Sequence, residues 1–193
     1  AKILFHEERF GEAEQVFEEL AEAECRDSSV YFLLVCILSL RGQYEDAVPW
    51  YERALDIEEG VEQYWIKYTE ALYFAGYSAE QALEDGVAQF PDSIWLLNLR
   101  GKQRMETGRL KEAEKDIKSA FEKAPQETDV RINYSELLYL LGDKDEALQV
   151  LDSVSKTASK NRNSEEEEAG VRNQRGNILV REKDMQRALT EYE

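Results

Sequence analysis

Few residues in this chain could run a reaction. It has one histidine, His6, two cysteines, Cys25 and Cys36, and a run of four acids from Glu165 to Glu168. A histidine beside a thiol could activate a nucleophile, a cysteine pair could hold a metal or close a disulfide, and clustered carboxylates could bind a cation. None of these is assembled in the sequence. His6 has no partner nearby and reads as a surface side chain. Two cysteines are too few for a disulfide framework and lack metal-ligand spacing, so both are expected to be small buried apolar residues in a reducing compartment. Ser164 and Glu167 form a capping box, which gives the acidic run a structural purpose at a helix start. The glycines fall at a fixed period and make no phosphate loop. We expect no enzyme activity, no catalytic residue, no metal site and no cofactor.

The elements that would position any site are helical. Hydrophobic residues make up 42% of the 193 positions and charged residues 34%, with only three prolines, a balance that suits helices far better than sheets. No apolar run approaches the roughly 18 residues of a membrane span, and Val30–Leu40 has the length of a buried helix. The net charge of −17 argues against nucleic acid and anionic membrane surfaces, because those are gripped by clustered Lys and Arg. The acid excess serves solubility, suits a salty cell interior or faces a basic partner. The compartment expected is cytoplasmic, and since the chain does not start with Met, a removed leader stays open.

One skeleton recurs five times: "ERFGEAEQVFEEL" from Glu8, "GQYEDAVPWYERAL" from Gly42, "GRLKEAEKDIKSAFEKAP" from Gly108, "GDKDEALQVLDSV" from Gly142 and "KDMQRALTEYE" from Lys183. Its alanines are Ala13, Ala47, Ala113, Ala147 and Ala188. Gly42, Gly76, Gly108 and Gly142 step by 34, 32 and 34, and Pro91 and Pro125 are 34 apart. Repetition at this period marks stacked supersecondary units. Antiparallel helices must approach to roughly 8–10 Å, which an alanine at the crossing permits and a bulky residue one turn later completes. Glycine ends the first helix at positive φ, and proline stops the second. One such hairpin cannot bury its apolar face alone, so copies stack.

This pattern resembles the tetratricopeptide repeat family. The fourth copy fits best, with Leu97, Gly101, Gly108, Ala113, Ile117, Ala120 and Pro125. The second offers Tyr31, Leu34, Gly42, Ala47, Tyr51 and Ala54, the fifth Tyr134, Ser135, Leu138, Ala147 and Leu151, and the sixth Gly176, Leu179, Ala188 and Tyr192. The resemblance implies an all-α fold, a right-handed α-solenoid of stacked antiparallel helix pairs. One repeat domain over residues 1–193 is expected, with copies at 1–27 (partial), 28–61, 62–93, 94–127, 128–161 and 162–193 (partial) and an insertion near 157–164. Both ends fall inside repeats, which would leave unpaired apolar faces suited to end-to-end self-association. The third copy is two residues short; Ser78 with Gln81 should cap its second helix, and either Ala79 or Ala82 takes the crossing. Gly86 reads equally as a close approach or a bend. Pro49 inside a second helix should cost one backbone hydrogen bond.

The stripe of each first helix facing away from its partner should line the inside of the stack, and the resemblance implies that such proteins hold peptides there. That stripe contains Phe32 and Cys36, then Ile66, Glu70 and Tyr73, then Trp95, Asn98, Lys102 and Met105. It continues with Ile132, Glu136 and Tyr139 and ends with Asn173 and Asn177. Aromatic and Met side chains off the core suggest a groove for apolar anchors, the alternative being packing between neighbouring first helices. Asn173 and Asn177 resemble part of the clamp by which one subclass of the family grips acidic chaperone tails, but the lysines and arginines that complete it are missing. Glu70, Asp129 and Glu136, opposed on the stripe by Lys102 alone, point to a basic or amphipathic protein or peptide instead. The function expected is a non-enzymatic interaction scaffold or adaptor. A regulatory or targeting module of a larger enzyme and a structural subunit of an assembly are the alternatives.

Overall fold

Four first helices end in the same hydrogen-bonded turn. At the first of these turns the Gly42 N–H donates to Ser39 O at 3.0 Å and the Gln43 N–H to Leu38 O at 2.9 Å; at the third, Gly108 bonds Met105 and Arg109 bonds Arg104 at 3.0 and 2.8 Å. Gly76 and Gly142 repeat the arrangement. All four glycines adopt left-handed backbone, φ 74° to 101°, where a β-carbon would be strained. Two of the orphan carbonyls at each of these helix ends are thereby satisfied and the chain is turned straight into the next helix.

The computed structural model describes residues 10–23, 25–152 and 164–181, the side chains at 10, 22 and 164–168 excepted. Among these residues every regular element is helical: α1 (Phe10–Glu22), α2 (Ser28–Leu40), α3 (Tyr44–Ile57), α4 (Glu62–Phe74), α5 (Glu80–Gln89), α6 (Ile94–Glu106), α7 (Leu110–Lys123), α8 (Thr128–Leu141), α9 (Lys144–Asp152) and α10 (Ser164–Arg181). Helices α2/α3, α4/α5, α6/α7 and α8/α9 are the successive pairs. The chain divides into two compact units, residues 1–96 and 97–193, with the boundary inside α6, and each is described by itself. His6, Ala188, the end faces and the polar insertion at 157–163 lie outside the described residues, as do the side chains of the expected Ser164–Glu167 capping box.

In the first unit, Ala13, Ala47 and Ala54 are fully buried, with Phe17 and Tyr51 filling the space one turn on. Tyr31 stacks on Trp50 at 6.1 Å between ring centroids. Helix α3 runs through Pro49, which is exposed. In the third copy both candidate alanines, Ala79 and Ala82, are buried, and only the spacing from the prolines separates them. Counting back from the prolines, Ala79, Leu83 and Gly86 match Ala113, Ile117 and Ala120, and all three are buried. Helix α5 starts only at Glu80, so this copy loses its first turn rather than its crossing. Gly86 is a close approach: an added β-carbon would lie 3.4 Å from Trp65 and 3.3 Å from Leu96. The capping box expected there does not form. The Ser78 hydroxyl accepts from the Glu80 N–H at a long 3.4 Å, and Gln81 donates forward to Asp85 at 2.9 Å instead of reaching back.

In the second unit, Met105, Ala113, Ile117 and Leu137 form one cluster, and Leu138, Ala147, Leu151, Val171 and Ile178 another. Gly101 of α6 lies directly against Ile117 of α7; a β-carbon there would sit 2.5 Å from Cγ1, well inside contact distance. The same crossing holds something the period does not predict. Sixty-six residues after the apolar Leu34, Leu38 and Trp50 stand Arg100, Arg104 and Asp116. Arg100 donates twice to Asp116, both at 2.8 Å, and Arg104 donates to it at 2.7 Å, with Asp116 almost wholly buried. Both guanidiniums converge on one buried carboxylate, and removing it strands buried positive charge. Asp116→Ala should therefore lose about 3–5 kcal/mol in urea denaturation, whereas Arg100→Leu, Arg104→Leu and Asp116→Val together should lose less than about 1 kcal/mol. Wild-type stability in the single variant would refute the arrangement.

Candidate functional site

The N-terminal end of the first-unit stripe is used in holding the fold. Asp27 caps α2 by accepting from the Ser29 N–H at 3.1 Å. Phe32 of α2 stacks on Tyr64 of α4 at 4.6 Å and meets Tyr51 edge-on at 6.5 Å, while Ile66 is buried. Towards the other end the two first helices part. A cavity of about 320 Å³ opens there, lined by Cys36, Ser39 and Leu40 of α2, Tyr44 and Tyr51 of α3, and Lys67, Glu70, Ala71 and Phe74 of α4. Two of these, Cys36 and Glu70, are stripe positions.

The cavity is apolar with polar groups spent on one another. Lys67 Nζ donates to Glu70 at 2.6 Å, and the Ser39 and Tyr51 hydroxyls lie 3.4 Å apart. Burial pushes the Tyr51 hydroxyl far above its ordinary range, partly offset by the Ser39 hydrogen bond, so it stays protonated. Cys36 is half-buried on the cavity wall, and Cys25 is half-buried in the segment before α2. The expectation that both are core residues is corrected. Burial raises the Cys36 thiol, with the Lys67 ammonium pulling it partly back. Trp95 is apart from this cavity and borders a shallower one with Glu62, Phe90 and Pro91.

The second unit uses its stripe differently. Asn98 is buried and accepts from Asn133 of α8 at 3.1 Å, and Met105 belongs to the core. Glu136 of α8 accepts from Gln174 and, at 2.6 Å, from Arg181, both of α10. That hydrogen bond raises the Arg181 guanidinium further, and its Cζ lies 5.4 Å from the Tyr139 ring centroid. Ile132 is half-buried next to Gly170, 3.4 Å from where a β-carbon would be. Lys102 is half-buried; Asn173 and Asn177 are exposed. The sequence view of Glu70 and Glu136 as acids opposed by Lys102 alone is thus corrected. Lys67 and Arg181, off the stripe, neutralise them. Leu40, Ala71 and Phe74 were missed because they sit one position off the stripe, and Tyr44 because it belongs to the second helix α3. The signal existed: Leu40 and Phe74 are apolar, 34 apart, and each two residues before a turn glycine.

Two models of the tetratricopeptide repeat match the chain, one over residues 30–63 and one over residues 104–163. The chain contains tetratricopeptide repeats. A TPR repeat-containing protein of Treponema pallidum (strain Nichols) is 25% identical over 148 residues, 70% of this chain and 18% of its own length. The chain therefore spans under a fifth of that relative. Among solved structures, MamA (residues 41 to the end) from Desulfovibrio magneticus RS-1 has a TM-score of 0.69 at 18% identity, with 80% of this chain and 89% of that one covered. YrrB, described as a TPR protein with an unusual peptide-binding site, has a TM-score of 0.62 at 18% identity, covering 91% and 88%. At these identities the structural likeness establishes the fold alone. Proteins built from tetratricopeptide repeats are interaction scaffolds and in general not enzymes. No helix among the described residues is long and apolar enough to cross a membrane.

With Cys25 replaced by Ser, alkylation of Cys36 by iodoacetamide should run about tenfold slower at pH 8 than that of free cysteine, because the thiolate is the nucleophile and burial disfavours it. The pH–rate curve should inflect above the ordinary thiol range. A curve coinciding with that of free cysteine would place Cys36 in open solvent.

Proposed function

We propose that this tetratricopeptide repeat protein is a non-enzymatic scaffold that holds a peptide or helical segment of another protein against the first-helix face of residues 1–96. The supporting observation is the cavity between α2 and α4. It lies on the stripe, presents apolar walls to solvent, and its polar groups already satisfy one another. A partner's apolar side chain would enter without stranding a buried charge, at about 2.5 kcal/mol per 100 Å² of apolar surface removed from water. Such anchors dominate affinity at interfaces. The net charge of −17 favours a basic or amphipathic partner and disfavours nucleic acid. Of the stripe positions, Cys36 and Glu70 line this site and Tyr73 meets its Phe74 edge-on. YrrB's peptide-binding site adds that the fold can carry such a function.

The test uses peptides selected from a displayed random library on the whole chain. A bound peptide should slow Cys36 alkylation at least about tenfold in the Cys25→Ser background, the protection expected when a ligand fills a concave apolar site. Peptides that bind tightly and leave the Cys36 rate unchanged would move the function elsewhere on the molecule.

A further inference from the structure

The cavity does not end at the stripe. It runs out to the turn edge, where Leu40 is 71% exposed, Phe74 60%, Tyr77 50% and Tyr73 49%. Exposed apolar residues scattered singly need no explanation, but a contiguous group beside a cavity marks an interaction surface. Here the rings are ordered. Phe74 stacks on Tyr44 at 4.9 Å, and Tyr73 meets Phe74 edge-on at 5.6 Å. Tyr44 and Phe74 also wall a second cavity of about 270 Å³, completed chiefly by Gly42, Gln43, Glu45 and Asp46. One stacked ring pair is thus shared by two adjoining hollows, one apolar and one acidic.

The charges nearby are unequally used. Lys67 is neutralised by Glu70 and Arg41 by Glu14. Glu45 and Asp46 are both exposed in the first turn of α3, and Asp46 accepts only from the neutral Gln43 amide, at 3.3 Å. Among the described residues no cation is paired with either.

Resting on the groove function proposed above, we infer that this edge takes a segment carrying a leucine or aromatic anchor with a lysine or arginine one or two residues away. The anchor fills the α2–α4 cavity. The cation crosses the Tyr44–Phe74 ring pair and meets Glu45 and Asp46. An extended segment advances about 3.3 Å per residue, so one or two residues span that ring pair. The ring faces themselves attract a passing cation. Charge also selects against the obvious rival occupant, a second copy of this chain. Two such edges would bring four carboxylates together in a molecule of net charge −17.

The selection from a displayed random library separates this inference from the reading beneath it. Selected peptides should protect Cys36, be enriched in Lys or Arg within two residues of Leu, Phe, Tyr or Trp, and bind more weakly as NaCl is raised. Glu45→Lys with Asp46→Lys should weaken them at least tenfold. Glu45→Gln with Asp46→Asn, gentler on the helix start, should weaken them about threefold. Peptides that protect Cys36 but carry no such cation, or that bind both variants as tightly as wild type, overturn the inference and leave the groove standing. A library that yields no peptide protecting Cys36 overturns both. Sedimentation velocity supplies the other arm: a dimer broken by Leu40→Asp with Phe74→Ser would make a second copy the occupant and refute the basic segment.

Discussion

The structure depends on how closely two helices can pass. At the crossing of α6 and α7, Gly101 has no β-carbon because Ile117 occupies the place where one would be. Around it Ala113 and Ala120 are fully buried with only a methyl group each to separate the backbones. The other pairs reach the same end with different residues: Ala47 and Ala54 in the second copy, and Gly86 against Trp65 in the third. Close crossing needs the chain to reverse in very few residues. The left-handed glycines provide this, and their turns satisfy part of each helix's terminal carbonyls. Small residue, bulky residue and turn glycine are parts of one constraint, which is why they share a period.

What each unit does with its remaining face follows from which side chains are left over. In the second unit the crossing itself is polar, with Asp116 between two arginines, and the stripe is closed by amide and carboxylate contacts from α8 to α10. Buried polar networks of this kind fix one arrangement when fully satisfied. In the first unit the crossing is aliphatic and aromatic, Phe32 and Ile66 hold α2 to α4 at one end, and the helices separate at the other. Apolar surface remains in contact with water there, and this imbalance gives the unit something to gain from a partner.

Much of the fold could be read from the sequence because its signals are local and repeated. A glycine every 32 to 34 residues, an alanine five residues after most of them and a proline at the end need no tertiary information. The site was less legible. Of the stripe positions Cys36 and Glu70 line the cavity, while Leu40 and Phe74, which also line it, lie one residue off the stripe. Asn98 and Met105 share the stripe spacing and yet are buried, since neighbouring first helices touch along it. The charge reading failed for a similar reason: Lys67 and Arg181 reach Glu70 and Glu136 from neighbouring positions that a one-stripe count passes over. The Asp116 cluster breaks the apolar pattern of its equivalents, and no period announces an exception.

The crossing constraint can be tested by the sign of one substitution in two backgrounds. Gly101→Ala in the wild-type chain should destabilise it by about 1–3 kcal/mol, because the new methyl group overlaps Ile117. In an Ile117→Ala background the overlap with Ile117 is gone and only the tight 3.3 Å approach to Asp116 Cβ remains, so the same change should become neutral or stabilise by up to about 1 kcal/mol through helix propensity. Urea denaturation followed by circular dichroism gives both values. A reversal of sign is the predicted result; an equal cost in both backgrounds would contradict the account.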